Sequence, residues 1–157
     1  MIRPAVASDL PALSELAQDF EDEGLGGPEL DVDAYSVMAN LIQAMPRDDW
    51  CVFVSTDYRD VPVGLLVGTL MPSVYNLGQV IAHERAWYVQ REYRRTTAAI
   101  RLLRRFERWA LEHNAAAILV AHEEDVEPER VAAIYRKSGY RRYESFWVKG
   151  VKECQPE

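Results

Sequence analysis

The sequence predicts one α/β domain, residues 1–157, with a mixed, mostly antiparallel sheet and flanking helices in the order β-α-α-β-β-β-α-β-α-β. Three observations carry this. The 157 residues fit a single domain, can bury a real core, and contain no repeat, low-complexity tract or linker. Three strand-like runs between Trp50 and Val89 follow one another with short links, which argues for an antiparallel meander. Segments of helical period precede and follow that meander.

The elements follow in order. Ile2 to Ala5 is a short first strand. Ser8 or Asp9 suits an N-cap, with Pro11 in the first turn behind it. Leu10, Leu13, Leu16 or Ala17, and Phe20 then recur at helical spacing until the breaker cluster Gly24-Leu25-Gly26-Gly27-Pro28. A second helix fits Asp33 to Met45, with Tyr35, Met38, Leu41, Ile42 and Met45 on one side, and Pro46 ends it. Trp50 to Tyr58 reads as a strand, Arg59-Asp60-Val61-Pro62 as a turn, and Val63 to Leu70 as the returning strand. Gly64 and Gly68 weaken that strand and mark a bulge or a close backbone approach. Gln79 to Val89 is the third strand of the meander. Ile100 to Asn114 is the clearest helix: Ala99, Leu102, Leu103, Phe106, Trp109, Ala110 and His113 share one side, and Arg101, Arg104, Arg105, Arg108 and Glu112 the other. Ala115 to Ala121 is a short apolar run, as in a buried strand. Glu127-Pro128 opens the last helix, with Val131, Ile134, Tyr135 and Ser138 on one side and Gly139 as its stop. Tyr140 to Val151 alternates enough to be read as a final strand.

Composition excludes several classes. No apolar run approaches the roughly 20 residues of a membrane span, and the first residues lack the apolar stretch of a secretory signal. Two cysteines make no disulfide framework: Cys51 lies in an apolar run and reads as a core thiol, and Cys154 lies in a polar tail. A cytoplasmic setting is the simplest expectation. His83, His113 and His122 show no metal-ligand spacing with cysteine, so no metal is expected. The net charge of −7 hides an asymmetry. Residues 1–60 hold thirteen acidic and three basic side chains, a net of −10. Residues 91–108 hold seven arginines against Glu92 and Glu107, a net of +5. A basic zone suits a phosphate-bearing ligand and an acidic zone a cationic one; solvated faces would carry the same charges. The overall acidity argues against nucleic acid as a partner, because phosphate affinity needs a net basic footprint.

The segment from Trp87 to Ala99 concentrates the functional signal. An apolar strand ends at Val89, an arginine-rich turn follows, and a helix starts near Thr97. Exposed amides and the helix dipole at such a junction favour an anion. Threonines capping a helix that arginines coat would read the same way.

Within this order of elements, the chain resembles the GNAT superfamily of N-acetyltransferases along essentially its whole length. Two motifs carry the resemblance. Tyr93-Arg94-Arg95-Thr96-Thr97-Ala98-Ala99 stands in the place of the family's pyrophosphate loop, R/Q-x-x-G-x-G/A. Arg94 matches its leading basic residue and Ala99 its final small one, while Thr97 stands where glycine is usual. Tyr135-Arg136-Lys137-Ser138-Gly139-Tyr140 matches the family's helix tyrosine followed by Gly-Phe or Gly-Tyr. The asparagine common about two turns earlier is missing, because Pro128 occupies that region.

The resemblance implies acetyl-CoA as co-substrate and direct acetyl transfer to a primary amine of a small molecule or a protein. It implies that Arg94, Arg95, Thr96, Thr97, Ala98 and Ala99 cradle the pyrophosphate, mostly through main-chain amides. Trp87 and Val89 would meet the pantetheine arm as a strand edge does, with the Val89 N–H facing the thioester oxygen. Tyr135 would protonate the departing thiolate. The general base is expected on the same strand: Glu84 first, His83 second, since an imidazole near pKa 6.5 suits the task. Strict alternation would put Glu84, Ala86 and Tyr88 on one face, and His83, Arg85, Trp87 and Val89 on the other. Asp19, Glu21, Asp22, Glu23, Glu29, Asp31 and Asp33 surround the Gly24–Pro28 loop and are expected to flank a pocket for a cationic acceptor. Members of this family often pair through sheet edges or the last strand, which allows a homodimer. A family member that has lost catalysis and serves as a binding or regulatory module is the alternative, motivated by Thr97 and the missing asparagine.

Overall fold

Residues 1–25, 32–122 and 127–149 are described by a computed structural model. β1 (Ile2–Pro4) pairs antiparallel with β2 (Trp50–Thr56), which pairs antiparallel with β3 (Pro62–Pro72), and β3 pairs antiparallel with β4 (Val80–Val89). The expected meander is therefore present. β5 (Ala117–Leu119) lies parallel to β4 and completes a five-stranded sheet in the order β1-β2-β3-β4-β5.

Helices cover both faces. α1 (Leu10–Asp22) and α2 (Ala34–Ala44) pack on one side, where Leu13, Leu16 and Leu41 meet Val52, Val54, Leu65, Val67 and Tyr88. α3 (Ala98–Glu112) and α4 (Pro128–Lys137) take the other, where Leu102, Leu103, Phe106, Trp109 and Tyr135 meet Phe53, Leu66, Ala82 and Val89. A short 3-10 turn, Ala7–Asp9, precedes α1. The Asp9 carboxylate accepts from the Val6 N–H at 2.8 Å and from both Arg3 terminal nitrogens at 2.7 and 2.9 Å, tying β1 to the helix entry. The Asp33 side chain caps α2 by accepting from the Ser36 N–H at 2.9 Å. Gly139, at φ +88°, closes α4: its N–H reaches Arg136 O, and the Tyr140 N–H reaches Tyr135 O.

Two expectations need correction. The final strand over Tyr140–Val151 is not formed in its described part, and among the described residues β5 is the outer strand. Residues 141–149 are exposed; the consecutive Phe146-Trp147-Val148 breaks the period of two, and a strand needs a neighbour to pair its amides. Gly150 and Val151 lie outside the described residues. Second, β4 does not alternate strictly. Val67 pairs with Ala86 while Gly68 pairs with Glu84, so Arg85 is an extra, bulged residue. Cross-strand partners share a face, so Glu84, opposite Gly68, lies on the α3–α4 face with Trp87 and Val89. Gly68 serves this bulge: a Cβ there would lie 2.3 Å from the Phe106 ring.

Candidate active site

Pairing between β4 and β5 stops at His83 and Leu119. From Glu84 to Val89, β4 pairs only with β3 among the described residues, so the two parallel strands part and leave an open edge. The Gln90 N–H donates to Val63 O at 3.0 Å, on the β3 side. By alternation, Val89 and Trp87 turn their N–H groups to the opposite, open edge.

At the start of this opening lie Glu84 and Tyr135, exposed by only 8% and 7%. One residue links them. The Ala121 N–H donates to Glu84 Oε2 at 3.3 Å, and the Tyr135 hydroxyl donates to Ala121 O at 2.6 Å. The Tyr135 ring is boxed by Trp87 at 5.8 Å, Tyr140 at 5.6 Å and His122 at 6.2 Å between centroids. Burial first, then the nearby Glu84 and Tyr140, push the Tyr135 phenol far above its ordinary pKa, so it holds its proton at neutral pH. Glu84, Trp87, Ala121 and His122 line a cavity of about 250 Å³, which Phe20 and Leu25 reach from the α1 side. The Trp87 Nε1 is buried and donates to no acceptor among the described residues.

His83 belongs to the other face, opposite Thr69, and does not line this cavity. Burial, then Arg85, hold its pKa below the usual 6.5.

The arginine turn runs from Gln90 through a 3-10 turn, Arg91–Tyr93, into α3. Thr97 has φ −84°, a conformation open to any residue, so the position does not demand glycine. Thr96 Oγ1 donates to Tyr93 O at 2.7 Å and accepts from the Ala98 N–H at 3.1 Å. The amides of Ala99 and Ile100 in the first turn of α3 bind no acceptor among the described residues. The Arg94 side chain is turned away from these amides. Its Nε donates to Val89 O at 2.7 Å, and its Nη2 to both Glu23 oxygens at 2.9 and 2.7 Å. Arg95 is exposed.

On the α1 side, Asp19, Asp22, Glu23, Tyr88, Gln90, Arg91 and Glu92 line a second, open depression of about 420 Å³. Three of the expected acidic residues are there. Glu21 instead accepts from the Ala34 N–H at 2.8 Å, Asp33 caps α2, and Glu29 and Asp31 lie outside the described residues.

The profile of the acetyltransferase (GNAT) family matches residues 12–140. The chain belongs to the GNAT family. No curated protein sequence gives a significant match. Among solved structures, a Trypanosoma brucei acetyltransferase superposes with a TM-score of 0.73 at 18% identity, covering 96% of this chain and 99% of that one. A Bacillus halodurans transcriptional regulator gives a TM-score of 0.77 at 16% identity, covering 95% and 98%. An aminoglycoside acetyltransferase from an uncultured soil metagenomic sample, solved with sisomicin, gives 0.69 at 16% identity, covering 97% and 96%. At these identities the likeness establishes the GNAT fold.

Sequence reasoning missed three features of this GNAT site. The Ala121 peptide leaves no side-chain signal. The bulge at Arg85 was foreshadowed only by Gly68. Glu23 stood among the acidic residues, but its pairing with Arg94, 71 positions away, is a tertiary event.

Proposed function

We propose that this GNAT protein transfers acetyl from acetyl-CoA directly to a primary amine. The observation that carries the reading is the pair Glu84 and Tyr135, joined through Ala121 where β4 and β5 part. The residues present fit the co-substrate. The open-edge amides of Trp87 and Val89, the first-turn amides of Ala99 and Ile100, and the Trp87 Nε1 are donors with no acceptor among the described residues. Arg95, Thr96, Thr97 and Ala98 complete the turn that would hold the diphosphate.

Acetyl-CoA supplies a thioester, which an amine can attack with loss of the thiolate. Glu84 takes the proton from the attacking amine, directly or through a water. The Val89 N–H donates to the oxygen on which negative charge develops. Tyr135, kept protonated by burial, gives its proton to the departing sulfur and leaves Ala121 O to do so. The acidic depression beside the site supports a cationic acceptor, the class to which the sisomicin bound by one structural relative belongs. We place the protein in the cytoplasm, where a free buried thiol such as Cys51 is kept reduced.

The test is a turnover screen with acetyl-CoA against polyamines, aminoglycosides, amino acids and lysine peptides, following free thiol. Release that depends on an amine supports the proposal; thiol release with none of them contradicts it. One observation favours the second reading, a binding module without catalysis: Thr96 closes the Ala98 amide that the diphosphate would use. Binding of acetyl-CoA without transfer in the same screen would establish that reading.

A further inference from the structure

We propose that Glu23 is a positioning residue: it latches Arg94 onto the Val89 carbonyl, so that Arg94 fixes the end of β4 instead of binding cofactor phosphate. Arg94 uses its rigid fork in two directions. The Nε holds Val89 O at 2.7 Å, and the Nη2 holds Glu23 Oε2 at 2.7 Å. The guanidinium also lies over the Tyr88 ring, 5.3 Å from its centroid. The Tyr88 hydroxyl in turn donates to Glu23 Oε1 at 2.7 Å. From behind, Arg130 Nη2 donates to Arg94 O at 2.5 Å. Glu23 stands just past the last turn of α1, with its side chain only 12% exposed.

The latch resists a swing toward phosphate. Burial works to raise the Glu23 pKa, but bonds from Tyr88 and Arg94 and the charges of Arg94 and Arg91 outweigh it, and the carboxylate stays ionised. If Arg94 left, a mostly buried carboxylate would keep, among the described residues, the Tyr88 hydroxyl and the exposed Arg91, whose Nε is 3.4 Å away. The Val89 carbonyl would also lose its donor. Because this carbonyl and the Val89 N–H belong to one residue at a strand terminus, the fork sets the direction of the amide assigned to the oxyanion. A lysine could supply the charge at residue 94 but not two directed bonds.

The kinetic arm rests on the acetyl-transfer reading above; the spectroscopic arm does not. Proton–nitrogen NMR of the protein follows the Arg94 Nε–H and the Val89 amide in wild type, Glu23→Gln and Arg94→Lys, with and without saturating acetyl-CoA. Wild type is expected to show a protected Arg94 Nε–H that persists with acetyl-CoA. Glu23→Gln is expected to lose that protection and shift Val89. Its affinity for acetyl-CoA should be unchanged within threefold or tighter, while turnover falls at least tenfold at constant KM for acetyl-CoA. Arg94→Lys should reproduce the Val89 shift and the kinetic pattern, and the double variant should be no worse than either single one. A protected Arg94 Nε–H in folded Glu23→Gln overturns the latch. So does its loss from wild type on adding acetyl-CoA, or a KM effect for acetyl-CoA without a turnover effect. Failure of wild type to bind acetyl-CoA refutes the acetyl-transfer reading instead, and the latch then stands or falls on the Arg94 signal alone.

Discussion

Tyr135 and Glu84 are buried together, yet their chemistry differs because each faces Ala121 from its own side. Tyr135 donates to the carbonyl and Glu84 accepts from the amide, so one keeps a proton and the other keeps lone pairs. Replacing Tyr135 by Phe removes the donor and leaves the ring among Trp87, His122 and Tyr140. Turnover is expected to fall by about 100-fold or more, with acetyl-CoA affinity unchanged by calorimetry. Unchanged turnover would remove Tyr135 from the reaction. Glu84→Gln is expected to lose a similar factor with acetyl-CoA affinity unchanged; wild-type turnover in this variant would assign the base elsewhere. Both residue types were legible in the sequence, Tyr135 from the Gly139-Tyr140 context that follows its helix. Their meeting was not legible, because a peptide group with no distinctive side chain joins them.

At the scale of elements, β4 carries most of the site, and its shape depends on β3. The bulge at Arg85 moves Glu84 onto the face of Trp87 and Val89, and Gly68 opposite it leaves room for Phe106. Gly68→Ala would put a methyl group into the Phe106 ring and is expected to destabilise the fold by about 1–3 kcal/mol. In a domain of this size each kcal/mol lowers Tm by roughly 2–4 °C, so a thermal melt reads the effect. A melt equal to wild type would mean that Phe106 yields without cost. The elements from β1 to α4 were legible because period and turn chemistry agree in each: Leu102, Leu103 and Phe106 for α3, Gly139 for the end of α4. The register shift was not, since a period of two holds on both sides of Arg85 and only the partner strand reveals the slip. The expected last strand failed for a related reason, as Tyr143, Phe146 and Trp147 have strand propensity but find no neighbour in the described chain.

For the whole molecule, the charge asymmetry of the sequence becomes a spatial seam. The acidic end of α1 meets the arginine turn through Glu23, and the depression of about 420 Å³ lies along that seam. The same charges set how stability follows pH. The Arg3 hydrogen bonds, opposed by burial and helped by the Val6 N–H, hold Asp9 below its ordinary pKa. An unfolded aspartate near pKa 3.9 takes up its proton first, so this contribution is complete above about pH 4 and is lost as pH falls further. His83, depressed by burial and Arg85, binds its proton more readily in the unfolded chain, so stability also declines below about pH 6.5. Denaturant titrations across pH are expected to show a first decline below about 6.5 that His83→Asn abolishes, and a steeper one below about 4. A profile flat from pH 7 to 5 would contradict the half-buried, neutral His83. The most direct test of the central claim, that the open edge of β4 and the arginine turn hold acetyl-CoA, is calorimetric titration of the wild-type protein with it. Saturable heat at one site per chain, with a matching rise in Tm, is predicted; absence of both heat and thermal shift would contradict it.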